Sequence, residues 1–209
     1  MTVSTDYEVW RTLVFAQSDV HSVEQLDKCA VNGFATRFNR EIASIVDAYG
    51  EEATAEAIEY LYGDASGQVY WCVLDESLGS LRVDFIRSIK SLYTDCFLPR
   101  CSRYYSHIDQ GPEALRPLNG VCYMLWDLGV ECPALNGDLE MLDASLDVLS
   151  FALALPSVAC QESALHGLGH LAYKHNERTM PIVEEYLKRD DLPIELRNYA
   201  QAARVGYVL

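Results

Sequence analysis

The stretch LEMLDASLDVLSFALALPSVACQESALHGLGHLAY, residues 139–173, decides the fold. Its apolar residues recur three or four positions apart, which is the period of one face of an α-helix. They fall into two stripes separated by Pro156 and Ser157, residue types that end one helix and begin the next. The stretch therefore predicts two consecutive amphipathic helices. The first stripe contains Leu142, Leu146, Leu149 and Leu153, and the second contains Val158, Leu165, Leu168 and Ala172.

The same periodicity continues on both sides and predicts an all-α protein. Downstream, Thr179 is predicted to cap a helix with Pro181 in its first turn, and Asp191 to cap a helix over 192–206. Residues 69–74 fit either a strand or a helix, and the neighbouring helical patterns favour a helix. The other predicted helices are residues 7–16, one opening at Ser22, one that spans Phe34 to Tyr49 and is capped by Gly50, 51–61 ending at Gly63, and 81–96.

Residues 97–119 contain Pro99, Gly111, Pro112 and Pro117 and show no apolar period. We interpret them as a long connection, which either crosses the surface or separates two modules. The predicted organisation is an N-terminal helical module (1–96), the connection (97–119) and a C-terminal module of helix pairs (120–209).

The C-terminal module shows one internal regularity. The pairs Leu128-Gly129, Leu168-Gly169 and Val205-Gly206 recur at spacings of 40 and 37 residues, the period of a repeated helix pair. The segments QESALHGLGHL (161–171) and ELRNYAQAA (195–203) resemble the second helices of HEAT-like repeats. This resemblance implies an α-solenoid whose second helices line a concave surface, and it implies little about function.

Charge excludes one class of partner and favours another. The 209 residues carry 16 basic and 31 acidic side chains, and residues 117–173 contain no Lys or Arg. Binding to nucleic acid requires clustered basic residues, so we exclude a nucleic-acid surface. A field of one sign speeds encounter with a partner of the opposite sign, which favours a basic protein. The alternative is that these acids only solvate helix faces and helix starts.

Targeting signals and cysteines suggest where the protein resides. The first 20 residues lack the basic start of a secretory signal, and the longest apolar run, 149–160, is too short to span a membrane. The seven cysteines lack CxxC spacing, and five of them lie in apolar helical patterns, where a free thiol behaves as a small hydrophobe. We therefore expect a reducing cytoplasm and no membrane association. Cys96 and Cys101, which flank Pro99, are a candidate thiol pair or metal site.

A polar stripe on one helix is a candidate metal site. Glu162, His166, His170 and Tyr173 stand at positions i, i+4, i+8 and i+11, so they share one face. Two histidines one turn apart, with a carboxylate one turn earlier, can bind a divalent metal. Glu162, His166 and His170 are therefore candidate ligands. Gly167 follows His166 where a zincin has its general-base Glu, so this stripe does not predict that chemistry.

The repeat spacing allows the same residues to belong to a protein-binding groove. At offsets of 40 and 37, His166 aligns with Trp126 and Ala203, and Glu162 aligns with Tyr199. A strip of Trp, Tyr and His is typical of a protein interface, but it is equally expected of a core between helices. Gly167 and Gly169 predict close packing of a neighbouring helix or ligand. The candidate partner-binding residues are Trp126, Asp127, Glu131, Glu162, His166, His170, Tyr173 and Tyr199.

No nucleophile elbow, phosphate-binding loop or dinucleotide motif is present in the sequence, so catalysis is not indicated and no cofactor is expected. The leading hypothesis is a helical-repeat protein that binds a partner, for example an acidic inhibitor or immunity-type protein that neutralises a basic one. The alternatives are a metal-binding protein that uses the Glu/His/His stripe and a structural scaffold.

Overall fold

The computed structural model describes residues 7–17, 27–63, 68–108 and 116–208. Within these ranges every regular element is helical, which confirms the predicted all-α class. No helix in the described part of the chain combines the length and the apolar character needed to cross a membrane. The α-helices are α1 (Tyr7–Ala16), α2 (Lys28–Arg40), α3 (Ile42–Tyr49), α4 (Glu51–Tyr62), α5 (Gln68–Leu74), α6 (Ser80–Ser91), α7 (Leu98–Arg100), α8 (Pro117–Met124), α9 (Cys132–Leu135), α10 (Leu139–Leu153), α11 (Val158–Leu187) and α12 (Ile194–Ala203).

The single helix predicted from Phe34 to Tyr49 is wrong, because the structure divides it into α2 and α3 at Glu41. The backbone of Glu41 is not helical, with φ −96° and ψ 7°, although its N–H group still donates to the carbonyl oxygens of Arg37 and Asn39. The apolar period cannot detect such a break, because one non-helical residue leaves the stripes on both sides nearly in phase. Gly50 ends α3 with a positive φ of 84°, as predicted.

Three predictions for the middle of the chain have mixed outcomes. Residues 68–74 form a helix, which resolves the open choice between strand and helix. The helix predicted over 81–96 remains α-helical only to Ser91 and continues as a π-helix from Leu92 to Phe97. The expected helix start at Ser22 lies outside the described residues.

The predicted connection is partly helical, since it includes α7 and the first turn of α8. Residues 101–108 between them have no regular structure. Buried side chains from α1 to α12 belong to one apolar cluster, so hydrophobic contacts extend across this connection. Arg82 of α6 also crosses it, donating to the carboxylate of Asp138 at 2.8 Å.

The C-terminal helices follow the sequence closely, with two corrections. The prediction that Thr179 caps a separate helix is wrong, because α11 continues through this buried residue and is instead kinked at His175. The predicted cap at Asp191 is also wrong, because its carboxylate binds the Arg189 guanidinium and Pro193 takes the N-cap position of α12. Ser157 caps α11 through Cys160 N–H, as the sequence suggests.

The prediction that Gly167 and Gly169 permit close packing is confirmed. A Cβ atom on Gly167 would lie 2.6 Å from Cγ of Trp126 and 2.8 Å from Cδ2 of Leu149. A Cβ on Gly169 would lie 2.5 Å from Cγ1 of Val208. These glycines let the Trp126 ring and the C-terminal residues pack directly on α11.

Candidate functional site: an Asp127, His166 and His170 cluster

One carboxylate and two imidazoles meet beside α11. The Nε2–H group of His166 donates to Oδ2 of Asp127 at 2.9 Å, and Nε2 of His170 lies 2.7 Å from Oδ1 of the same carboxylate. One potential ligand atom from each of the three residues lies within 4.8 Å of the other two. We call these three residues the Asp–His–His cluster.

Local structure places each member. His166 and His170 lie one turn apart on α11, so their rings share a face, with centroids 4.6 Å apart. Asp127 lies in the turns between α8 and α9 and follows the fully buried Trp126. The Trp126 indole donates to the hydroxyl of Tyr93 at 2.9 Å. This anchor holds the turn against the core and fixes the position of the adjacent carboxylate.

Hydrogen bonding within this cluster favours the charged forms of Asp127 and His170. Burial acts to raise the pKa of Asp127, but hydrogen bonds from His166 and His170 outweigh it and hold that pKa well below its usual range. The hydrogen bond to Asp127 raises the pKa of His170 against the opposing effect of burial. Asp127 is therefore a carboxylate across the neutral pH range, and it carries the negative charge that a cation requires.

A second carboxyl group, Glu131, lies close enough to interact electrostatically with Asp127 and His170. Its side chain is buried, and its Oε2 atom has no hydrogen-bond partner among the residues described. Burial raises the pKa of Glu131 to about 7. A buried carboxyl oxygen without a hydrogen bond is costly, so the position of this atom requires an explanation.

The hydroxyl groups of two tyrosines form a chain of hydrogen bonds that begins at Nδ1 of His166. The Nδ1 atom of His166 lies 2.6 Å from the hydroxyl of Tyr199, which lies 3.0 Å from the hydroxyl of Tyr123. Burial raises the pKa of Tyr199 far above its usual range, so this hydroxyl keeps its proton. It can therefore either donate to His166 or accept from it.

Glu162 does not join the two histidines, although the sequence predicts the three as a ligand set. Its buried carboxylate accepts the backbone N–H of Ser106 at 3.0 Å and of His107 at 2.9 Å, and it also contacts the His107 ring. That ring stacks on Tyr199 with centroids 4.1 Å apart. His107 and Tyr199 thus connect Glu162 to His166, and Asp127 is the carboxylate that lies beside the two histidines in place of Glu162.

The predicted partner-binding residues divide by exposure. Trp126, Glu131, Glu162, His166 and Tyr199 are buried, as the core alternative expects. Asp127 and His170 are partly exposed, and Tyr173 is 84% exposed. His107 and Tyr123 are not among the predicted site residues, because neither shares a period with the helix stripe and only tertiary contacts bring them to it.

Residues 117–173 contain no Lys or Arg, but several of their acidic side chains form ion pairs with basic side chains from other parts of the chain. Asp138 pairs with Arg82 and Asp143 with Arg178, and Asp147 binds Lys90 at 2.8 Å. These ion pairs make the negative electrostatic field around residues 117–173 weaker than the sequence predicts.

The cluster thus offers two imidazole nitrogens and a carboxylate, with a further carboxyl group nearby. This donor set suits a divalent transition metal ion. Comparisons with protein-family models, curated proteins and solved structures find no match to this chain.

Proposed function

We propose that this protein binds a divalent transition metal ion through Asp127, His166 and His170. The convergence of both Nε2 atoms on a single carboxylate carries the proposal. Metal–ligand distances of about 2.0–2.2 Å place neighbouring ligand atoms about 3 Å apart. The two separations between Asp127 and the histidines, 2.9 and 2.7 Å, are close to this value, and one ligand atom from each of the three residues lies within 4.8 Å of the others. Small side-chain movements that bring the two imidazoles together would let all three residues hold one ion.

Metal binding requires the imidazole protons of His166 and His170 to change position. The Nε2–H groups now directed at Asp127 must be lost before both nitrogens can bind a metal. For His166, the remaining proton then lies on Nδ1 and is donated to the hydroxyl oxygen of Tyr199, which keeps its own proton and donates it in a hydrogen bond to Tyr123. A ligand histidine whose second nitrogen donates to a fixed oxygen is the arrangement typical of protein metal sites.

The environment leaves room for further ligands. The side chains of Asp127 and His170 are 20% and 28% exposed, so solvent reaches one side of the cluster. Glu131 interacts electrostatically with Asp127 and His170, so the charge of a bound ion would favour its carboxylate form, although its oxygens are not among the converging ligand atoms. Three protein ligands with an accessible fourth position are typical of metal sites that also bind a water or a substrate.

Zinc titration of tag-free protein by isothermal calorimetry, after treatment with chelator, tests the proposal. We expect one Zn²⁺ per chain and proton release that depends on the buffer. His170→Ala should weaken the affinity by at least about 100-fold, because it removes a ligand. Since His170 is partly exposed, this change is tolerated better than one at the fully buried His166.

The matched control is His175→Ala, which alters another histidine of α11 outside the cluster. The His175 ring binds the carbonyl of Ala134, so its loss should leave zinc affinity unchanged. Equal affinities of wild type and His170→Ala, or equal losses in both variants, would refute the proposed ligand set.

A second candidate function is protein binding, favoured by an exposed apolar patch beside the cluster. Tyr173, Val205 and Tyr207 are 84%, 63% and 74% exposed, and Gly206 packs close to the backbone of Tyr173. The net charge of −15 favours a basic partner, such as one neutralised by an inhibitor or immunity-type protein. The packing of α10 on α11 and of α11 on α12 in chain order supports HEAT-like pairing of these helices.

Capture from host lysate at low salt, followed by a salt gradient, tests this second function. We expect wild type to capture a basic protein that elutes at moderate salt. The double variant Tyr173→Ser plus Tyr207→Ser should no longer capture it. Capture of the same protein by the double variant would refute the assignment of this patch as the binding surface. The seven free cysteines further support the cytoplasm as the proposed location.

A further inference from the structure

Three cysteines from different elements meet at the end of the α7 segment. The thiol of Cys122, on α8, interacts with the thiols of both Cys101 and Cys160. The sulfur of Cys122 also lies 3.7 Å from the carbonyl of Ala159, next to Cys160. The sequence paired Cys101 only with Cys96, which is fully buried, so the neighbours on α8 and α11 follow from the tertiary structure alone.

Backbone hydrogen bonds fix Cys101 against α8. Its N–H donates to the carbonyl of Phe97 at 2.8 Å. The next residue, Ser102, donates its N–H to Oδ1 of Asn119 at 3.0 Å and accepts from the Asn119 amide at 3.1 Å. Cys122 follows Asn119 by three residues, so both lie on the same face of α8. Cys101 is therefore held beside the helix face that carries Cys122.

Only one of the three thiols is reachable from solvent. Cys101 is partly exposed and lines a cavity of about 390 Å³, whereas Cys122 and Cys160 are fully buried. The cavity also contains the exposed Arg103 and the N-terminus of α11 at Ser157. An oxidant that enters this cavity can therefore reach Cys101 directly, whereas the protein covers the other two thiols. Burial raises the pKa of the Cys122 thiol well above its usual range.

We propose that Cys101 and Cys122 form an oxidant-responsive pair, in which a hydroperoxide oxidises Cys101 and Cys122 then closes a disulfide. The Cys101 thiolate attacks one peroxide oxygen, so an S–O bond forms, the O–O bond breaks and hydroxide leaves as water after protonation. The Cys122 sulfur then attacks the resulting sulfenic acid. An S–S bond forms, the S–O bond breaks, and the departing hydroxide takes the Cys122 proton. Hydrogen peroxide is reduced to two waters as two thiols lose two electrons.

This inference is independent of the metal site and is tested on the full chain. Reduced protein is treated with one equivalent of hydrogen peroxide, alkylated in denaturant and digested without reductant for mass spectrometry. We expect a linked pair of Cys101 and Cys122 peptides, and a fall from seven titratable thiols to five per chain. Dithiothreitol should restore all seven.

The exposed Cys29 provides the control, because it is the thiol that oxidation by exposure alone would select. Cys29→Ser should leave the linked peptide unchanged, whereas Cys101→Ser should abolish it and leave Cys122 to be alkylated. Oxidation concentrated at Cys29 in the wild type, with no link at Cys122, would overturn the proposal. A Cys122–Cys160 link that survives Cys101→Ser would overturn the role of Cys101. Because the disulfide is mapped in the wild-type protein, the proposal can be tested even if a variant fails to fold.

Discussion

Nδ1 of His166 lies 2.6 Å from the hydroxyl of Tyr199, a residue 33 positions further along the chain. This hydrogen bond fixes the imidazole with its other nitrogen, Nε2, directed at Asp127. The hydroxyl of Tyr123, 3.0 Å beyond Tyr199, completes the chain of polar contacts. The orientation of a buried histidine is thus determined by a helix that follows it in sequence.

We expect Tyr199→Phe to weaken zinc binding by about 10-fold to 100-fold. The ring remains, but the oxygen that accepts the Nδ1 proton is lost, so the ligand tautomer of His166 loses its support. Calorimetric titration measures the affinity. Tyr207→Phe is the matched control, because Tyr207 is 74% exposed and its hydroxyl lies outside this network. Identical affinities of the two variants would contradict the role of Tyr199.

Glu131 should make the metal-free protein less stable as the pH rises. Its folded pKa of about 7 exceeds the ordinary value of 4.5, so the folded chain keeps a proton that the unfolded chain releases. The free energy of unfolding therefore decreases as the pH rises from about 4.5 to about 7, by about 3 kcal/mol in total. In EDTA, Glu131→Gln should remove this decrease, and urea unfolding at pH 5 and pH 8 measures it. Parallel pH profiles of the two proteins would contradict the prediction.

We expect Gly167→Ala to destabilise the protein by about 1–3 kcal/mol. The added methyl group would lie 2.6 Å from the Trp126 ring and 2.8 Å from Leu149, inside a closely packed core. Gly33→Ala, in α2, is the control, because a Cβ there would meet nothing within 4 Å. That change should be neutral or stabilise by up to about 1 kcal/mol. Urea unfolding curves compare them, and equal effects would argue against the close packing at Gly167.

Glu162→Gln should loosen residues 101–108 and lower stability by about 2–4 kcal/mol. The carboxylate accepts the N–H groups of Ser106 and His107 and contacts the His107 ring, and an amide has only one oxygen to replace two. Hydrogen exchange at these two backbone amides should become faster. Glu184→Gln removes only an exposed pair with Arg204 and should change stability by less than about 0.5 kcal/mol. Unchanged exchange at Ser106 and His107 would contradict this assignment.

Apolar period and capping residues predicted most of the helices but not the places where a helix bends. Leu139–Leu153 and Tyr7–Ala16 have the predicted bounds, because each carries an uninterrupted stripe. The break at Glu41 and the π-helical turn from Leu92 leave the spacing of apolar residues almost unchanged, so the period does not record them. Asp191 was a reasonable cap by residue type, but its pairing with Arg189 depends on the folded position of both.

The sequence by itself determined the helical class and the pairing of His166 with His170, because each depends on spacing within one helix. The two glycines of α11 predicted close packing, and only the tertiary structure decided that Trp126 and Val208 provide it. Only the tertiary structure decided that Asp127 completes the cluster and that Glu162 instead holds the His107 loop. The same holds for the meeting of Cys101 and Cys122. Side chains four residues apart on a helix are neighbours whatever the fold, whereas those from different elements meet only after the apolar faces have packed and fixed where each turn lies.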